Sequence, residues 1–197
     1  MIGRIRGLLI EKRPPHLLLE AHGIGYELEA PLSTFDRLPS LNAEVLLYTH
    51  LAIREDAHLL FGFLTESERR LFRALLKVSG IGARTALAIL SGSDVEEFTK
   101  CIHAEDIARL TNLPGIGKKT AERLVIEMRD RIAYWAPRAA AAGGAAFAGP
   151  HDALADAIEG LVALGYKAHE AGRYVQAIDT AGMTSEAIIR AVLRSQA

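Results

Sequence analysis

The sequence predicts a multidomain chain: an N-terminal OB-like β-barrel, a central all-α domain of tandem helix-hairpin-helix units, and a C-terminal three-helix bundle. Three observations predict it. The hydrophobic period is two as far as residue 63 and helical from residue 65; a nine-residue stretch in the middle recurs at an offset of 35; and a run of Ala, Gly and Pro precedes residues 151–197. With 197 residues, half of them hydrophobic and 24% charged, the chain has the apolar surface to build real cores. Cys101 is the single cysteine, so no internal disulfide forms, and it reads as a small buried apolar residue. The seven histidines are scattered without metal-ligand spacing, so neither a metal nor a cofactor is expected. No apolar run approaches the roughly 18 residues of a membrane helix. Arginines interrupt the opening Met1-Ile2-Gly3-Arg4-Ile5-Arg6, so no membrane association and a cytoplasmic location are expected.

Residues 1–63 form the barrel. Ile24, Tyr26, Leu28 and Ala30 alternate with Gly25, Glu27 and Glu29, and Val45, Leu47, Leu51 and Ile53 share a second period-two face. Strands are placed near 2–10, 16–21, 24–30, 44–53 and 58–63, with a short helix around 32–38. Glu55 and Asp56 fall in the polar turn between the last two strands.

Residues 64–136 form the helical domain. Thr65 and Glu68 make a capping box, after which Leu71, Phe72, Leu75 and Leu76 fall on one face. The repeat lies within it: Val78-Ser79-Gly80-Ile81-Gly82-Ala83-Arg84-Thr85-Ala86 overlays Leu113-Pro114-Gly115-Ile116-Gly117-Lys118-Lys119-Thr120-Ala121 with five identities. Each Gly-Ile-Gly joins two helices. Its glycines can take positive φ and admit another molecule close to the backbone, while the amides and dipole of the second helix favour an anion. Arg84, Lys118, Lys119 and Arg123 add positive charge, Thr85 and Thr120 offer hydroxyls, and Ile81 and Ile116 pin each turn to the core. The anion that fits is a DNA phosphate. Neither copy carries the side chains that read base edges, so binding is independent of sequence.

Charge supports this division. Residues 1–63 hold six Lys and Arg against eight Asp and Glu, residues 64–136 twelve against ten, and residues 151–197 four against six. Two enzymatic readings fit poorly. A phosphate-binding P-loop would need a glycine where Asn112 stands and Ser or Thr where Lys119 stands. Leu113 to Thr120 also resembles the hairpin of DNA glycosylases, with Lys119 at the attacking position, but Pro137 stands where the aspartate belongs. A glycosylase-like repair enzyme and a general duplex-binding architectural protein remain the alternatives.

Residues 137–150 are Ala, Gly and Pro except for Arg138 and Phe147, the composition of a flexible linker. Residues 151–197 show three amphipathic patterns: Leu154, Ile158 and Leu161; Ala171, Val175 and Ile178; and Ile188, Val192 and Leu193. So short a bundle has little core, which favours a partner-facing apolar surface.

In this order, barrel, duplicated hairpin, linker and three-helix tail resemble the bacterial RuvA family of Holliday junction-binding proteins. The most specific stretches are Arg54-Glu55-Asp56 with Leu60-Phe61-Gly62-Phe63, Leu113 to Met128, and Leu161 to Lys167. The resemblance implies a UBA-like tail and a homotetramer, one or two per junction, that holds four-way junction DNA open and flat. It implies that Glu55 and Asp56 meet their copies at the centre as acidic pins. The hexameric RuvB ATPase would dock on the tail through Leu161, Leu164 and Tyr166, and the RuvC resolvase would be a further partner. The chain itself would be non-catalytic.

Overall fold

The computed structural model describes residues 1–132 and 153–195, apart from positions 179 and 181. These fall into two compact units divided after Ile132. The expected linker, 137–150, lies outside the described residues.

In the first unit β1 (Arg4–Arg13), β2 (His16–Ala21), β3 (Ile24–Glu29), β4 (Glu44–Ile53) and β5 (His58–Phe63) close into a barrel in the order β1-β2-β3-β5-β4. Closure depends on the length of β1. Its first half pairs with β4 (Ile5 opposite Leu47) and its second half with β2 (Lys12 opposite Leu17), with a bulge between Leu9 and Glu11 to turn the strand. The bend is tight at Gly7, where a Cβ would lie 2.3 Å from the Glu20 carbonyl oxygen. Alternate residues Ile5, Leu9, Leu17, Leu19, Leu28, Val45 and Leu47 fill the interior, and α1 (Leu32–Arg37) covers one end with Phe35. The strands and helix thus form close to where the periodicity places them.

Helices α2 (Glu66–Leu75), α3 (Ala83–Gly92), α4 (Val95–His103), α5 (Ile107–Thr111) and α6 (Lys118–Ile132) follow. The capping box forms: the Thr65 hydroxyl accepts from the Glu68 amide at 3.2 Å, and the Glu68 carboxylate accepts from the Thr65 amide at 2.9 Å. That carboxylate also pairs with Arg37 at 3.2 Å, so the cap ties α2 to α1. Cys101 is buried, as expected.

The barrel and helices share one core. Leu60 points into the barrel while Phe61 and Phe63 point outward, their ring centroids 5.0 and 4.9 Å from that of Phe72 on α2. Beside this seam Arg73 donates from Nη2 to the Thr49 carbonyl (3.4 Å) and from Nε to His50 Nδ1 (3.3 Å). Helix α3 is fixed to α1 by the Leu32 amide on Ser91 Oγ (2.9 Å) and by Ser33 Oγ on the Leu90 carbonyl (2.8 Å). The hairpins that α3 and α6 carry therefore stand on a rigid base.

The second unit contains α7 (Ala153–Ala163), α8 (Ala168–Gln176) and α9 (Ser185–Ser195) around Ala157, Leu161, Ala171, Val175, Ile188 and Val192. Two expected core residues lie outside it: Leu154 is 42% and Leu193 38% exposed. Helices α7 and α9 are in tight contact at Gly160, where a Cβ would fall 2.6 Å from Ile189 Cδ1. Leu154 stands on the first turn of α7, outside the buried cluster.

Candidate nucleic-acid interface

The two Gly-Ile-Gly turns share three backbone hydrogen bonds. In the first, the Val78 amide donates to the Leu75 carbonyl (3.0 Å), Ile81 to Val78 (3.1 Å) and Ala86 to Gly82 (2.9 Å). In the second, Leu113 donates to Leu110 (3.2 Å), Ile116 to Leu113 (3.1 Å) and Ala121 to Gly117 (2.9 Å), each pair displaced by the repeat offset. Ile81 and Ile116, each 5% exposed, anchor the turns as expected.

The glycines divide the work. Gly80 and Gly115 have φ of +88° and +80°, in the left-handed region that disfavours other residues. The expectation of positive φ fails for the second glycine: Gly82, the N-cap of α3, is extended at φ −95°, and Gly117 just before α6 is not among the positive-φ glycines. A Cβ at Gly82 or Gly117 would meet nothing within 4 Å. The fold therefore does not require glycine at these two positions. What glycine provides is a bare backbone, with no side chain to cap the first-turn amides of α3 and α6, and room for an outside group to reach them.

Arg84, Lys118 and Lys119 are exposed on those first turns. Ion pairs among the described residues lie elsewhere, so these three cations have no acidic partner there. Their settings differ. Arg84 borders a cleft of about 580 Å³ with His16 and Glu29 of the barrel and Pro114 of the second turn, whereas Lys118 and Lys119 do not line it. Two of the expected phosphate ligands also contact the protein, although Arg123 remains exposed. Thr85 lies toward the second turn, its Cγ2 3.7 Å from where a Gly115 Cβ would be, and Arg123 donates from Nη1 to the Ser79 carbonyl at 2.8 Å. Thr120 is half-buried on α6.

Glu55 and Asp56 sit at the tip of the β4–β5 hairpin, in a turn closed by the Arg54 amide on the Ala57 carbonyl at 2.8 Å. Both are exposed, and none of the ion pairs among the described residues involves them. In the tail unit, Leu161 is wholly enclosed in the core and offers no surface to a partner, because it packs at the centre of three helices. Leu164 is 60% exposed, and Tyr166 is half-buried with its ring against Tyr174.

Sequence reasoning missed the Ser79 carbonyl as an acceptor. The one signal for it was the mismatch in the repeat, where Arg123 of the second copy stands opposite Ala88 of the first.

Comparison with known proteins accounts for nearly the whole chain. Residues 1–62 match the family described as RuvA N terminal domain, residues 72–130 the SAM-like Helix-hairpin-helix tandem, and residues 152–195 the RuvA, C-terminal domain. A protein of Methylococcus capsulatus is 57% identical over 99% of this chain and 98% of its own length. One of Nitrosococcus oceani is 54% identical over 98% of each, and one of Thioalkalivibrio sulfidiphilus 53% identical over 99% and 98%. All three bear the name Holliday junction branch migration complex subunit RuvA.

Proposed function

The chain belongs to the RuvA family, and from that premise we propose that it binds four-way DNA junctions by their backbone and serves as the non-catalytic subunit of a branch-migration complex. The observation that carries this is the pair of hairpins that share three backbone bonds at the repeat offset, each opening the first turn of a helix through a glycine the fold does not need, with Arg84, Lys118 and Lys119 beside them. The amides hold phosphate oxygens directly and the cations neutralise their charge, so affinity comes from the backbone and not from base sequence.

Four copies form a homotetramer, one or two of which engage a junction. The exposed Glu55 and Asp56 of each copy meet at its centre, where eight carboxylates repel the phosphates of the exchanging strands and keep them apart. The tail recruits the hexameric RuvB ATPase through Leu164 and Tyr166, with Leu161 shaping that surface from beneath, and the RuvC resolvase is a further partner. Hydrolysis of ATP belongs to the motor; this chain supplies geometry. It acts in the cytoplasm.

The test is a gel-shift competition at physiological salt between a synthetic four-way junction and linear duplex of equal length. The junction is expected to win by orders of magnitude, and residues 151–197 to be dispensable for binding but required for RuvB-driven migration. Equal competition would return the chain to general duplex binding.

A further inference from the structure

We propose that Arg123 is a positioning residue: it fixes the two hairpins at one separation and does not serve mainly as a phosphate ligand. The inference rests on the hairpins being the DNA-binding elements. Arg123 belongs to α6, which starts from the second hairpin, yet its Nη1 donates to the Ser79 carbonyl of the first at 2.8 Å. The same nitrogen lies 3.7 Å from where a Gly80 Cβ would stand, so the guanidinium rests on the left-handed corner of that turn.

The first copy reaches back. Thr85 of α3 lies against Gly115, and Gly92 at the end of α3 lies under Leu113 and Pro114, a Cβ there falling 3.2 Å from Leu113 Cδ2. These reciprocal contacts are apolar or steric; the Arg123 bond is the charged and directional one. Two anion-binding turns gain from being linked only if their spacing matches that of the phosphates they hold, because a rigid link removes the ordering cost of the second contact. Position 88, the counterpart of 123 in the first copy, is alanine, so the brace exists in one direction only.

The full chain is compared with Arg123→Lys and Arg123→Gln in two measurements. Lysine keeps the charge but has neither the forked donors nor the reach of arginine. In the free protein, hydrogen exchange of the Ile81 amide is expected to rise by about tenfold in both variants, with the barrel strands unchanged. Junction affinity should fall by about tenfold in both, and the Lys variant should keep the wild-type dependence of affinity on salt, since no phosphate contact is lost. If the Lys variant binds like wild type while the Gln variant loses about one unit of the log–log salt slope, Arg123 is a phosphate ligand and the proposal fails. Exchange that rises throughout the helical region would reduce Arg123 to a general stabilising contact and likewise overturn it. Charge reversal at Lys118 and Lys119 separates the underlying premise: unchanged binding there removes the hairpins as the DNA site, whatever exchange at Ile81 shows.

Discussion

The two hairpins share a backbone and differ in chemistry. Both turn at a left-handed glycine, are pinned by a buried isoleucine, and open a helix behind a second glycine. The first carries Arg84, which borders a cleft shared with Glu29 and His16; the second carries Lys118 and Lys119, both clear of that cleft, and sends Arg123 across to brace the first. Duplication thus repeats what fixes the fold, the φ angles and hydrogen bonds, while side chains in the same places serve unequal purposes. The second hairpin carries two exposed first-turn cations to the first's one, and the first receives the Arg123 hydrogen bond.

That inequality can be broken experimentally. Reversing both Lys118 and Lys119 to Glu is expected to weaken junction binding about a hundredfold at physiological salt and lower the log–log salt slope by about two, against about tenfold and one for Arg84→Glu. Equal losses on titration over salt would make the hairpins equivalent.

The division between the glycines predicts a crossed pair of outcomes. Gly80→Ala or Gly115→Ala forces a Cβ into a left-handed corner and should cost about 1–2 kcal/mol in urea unfolding. Gly82→Ala or Gly117→Ala should cost at most about 1 kcal/mol, since its methyl meets no protein atom, yet weaken DNA binding by several-fold. Stability losses of the same size at both kinds of position would mean the second glycine has a folding role.

Neutralising the pin as Glu55→Gln with Asp56→Asn sharpens the contrast between grip and repulsion. Junction affinity should change by less than about threefold, because no attractive contact is removed, while the rate of RuvB-driven migration changes.

The smallest effect concerns the base on which the hairpins stand. Burial first, then the Arg73 and Arg69 guanidiniums, hold the His50 pKa below its ordinary value. The unfolded chain therefore binds this proton more readily than the folded one. The resulting stability is complete above the unfolded value of about 6.5 and is lost as pH falls through the lower folded value. Thermal melts between neutral and mildly acidic pH should show a shallow decline that His50→Gln flattens.

Much of this architecture was legible before any coordinates. Strands β2, β4 and β5 lie where alternation puts them, and the capping box at Thr65 and Glu68 closes as spacing requires. Alternation states that a strand has two faces but not what covers the second. The apolar run from Leu59 to Leu64 signals that both faces of β5 are covered, but nothing local names α2 as the cover for Phe61 and Phe63, so the unity of barrel and helices was hidden. In the tail, period alone grouped Leu154 with Leu161, though the packed bundle encloses one and leaves the other exposed.

The sequence by itself determined the elements, the repeat and the residues with anion chemistry, because these follow from periods, caps and glycine geometry within a few neighbouring positions. Only the tertiary structure decided which of those residues the protein itself engages. Arg84, Lys118 and Lys119 form no ion pair among the described residues, while Thr85 and the exposed Arg123 reach the opposite hairpin. That choice depends on contacts between positions such as 123 and 79, far apart in the chain, whose distance is set by how two helices pack.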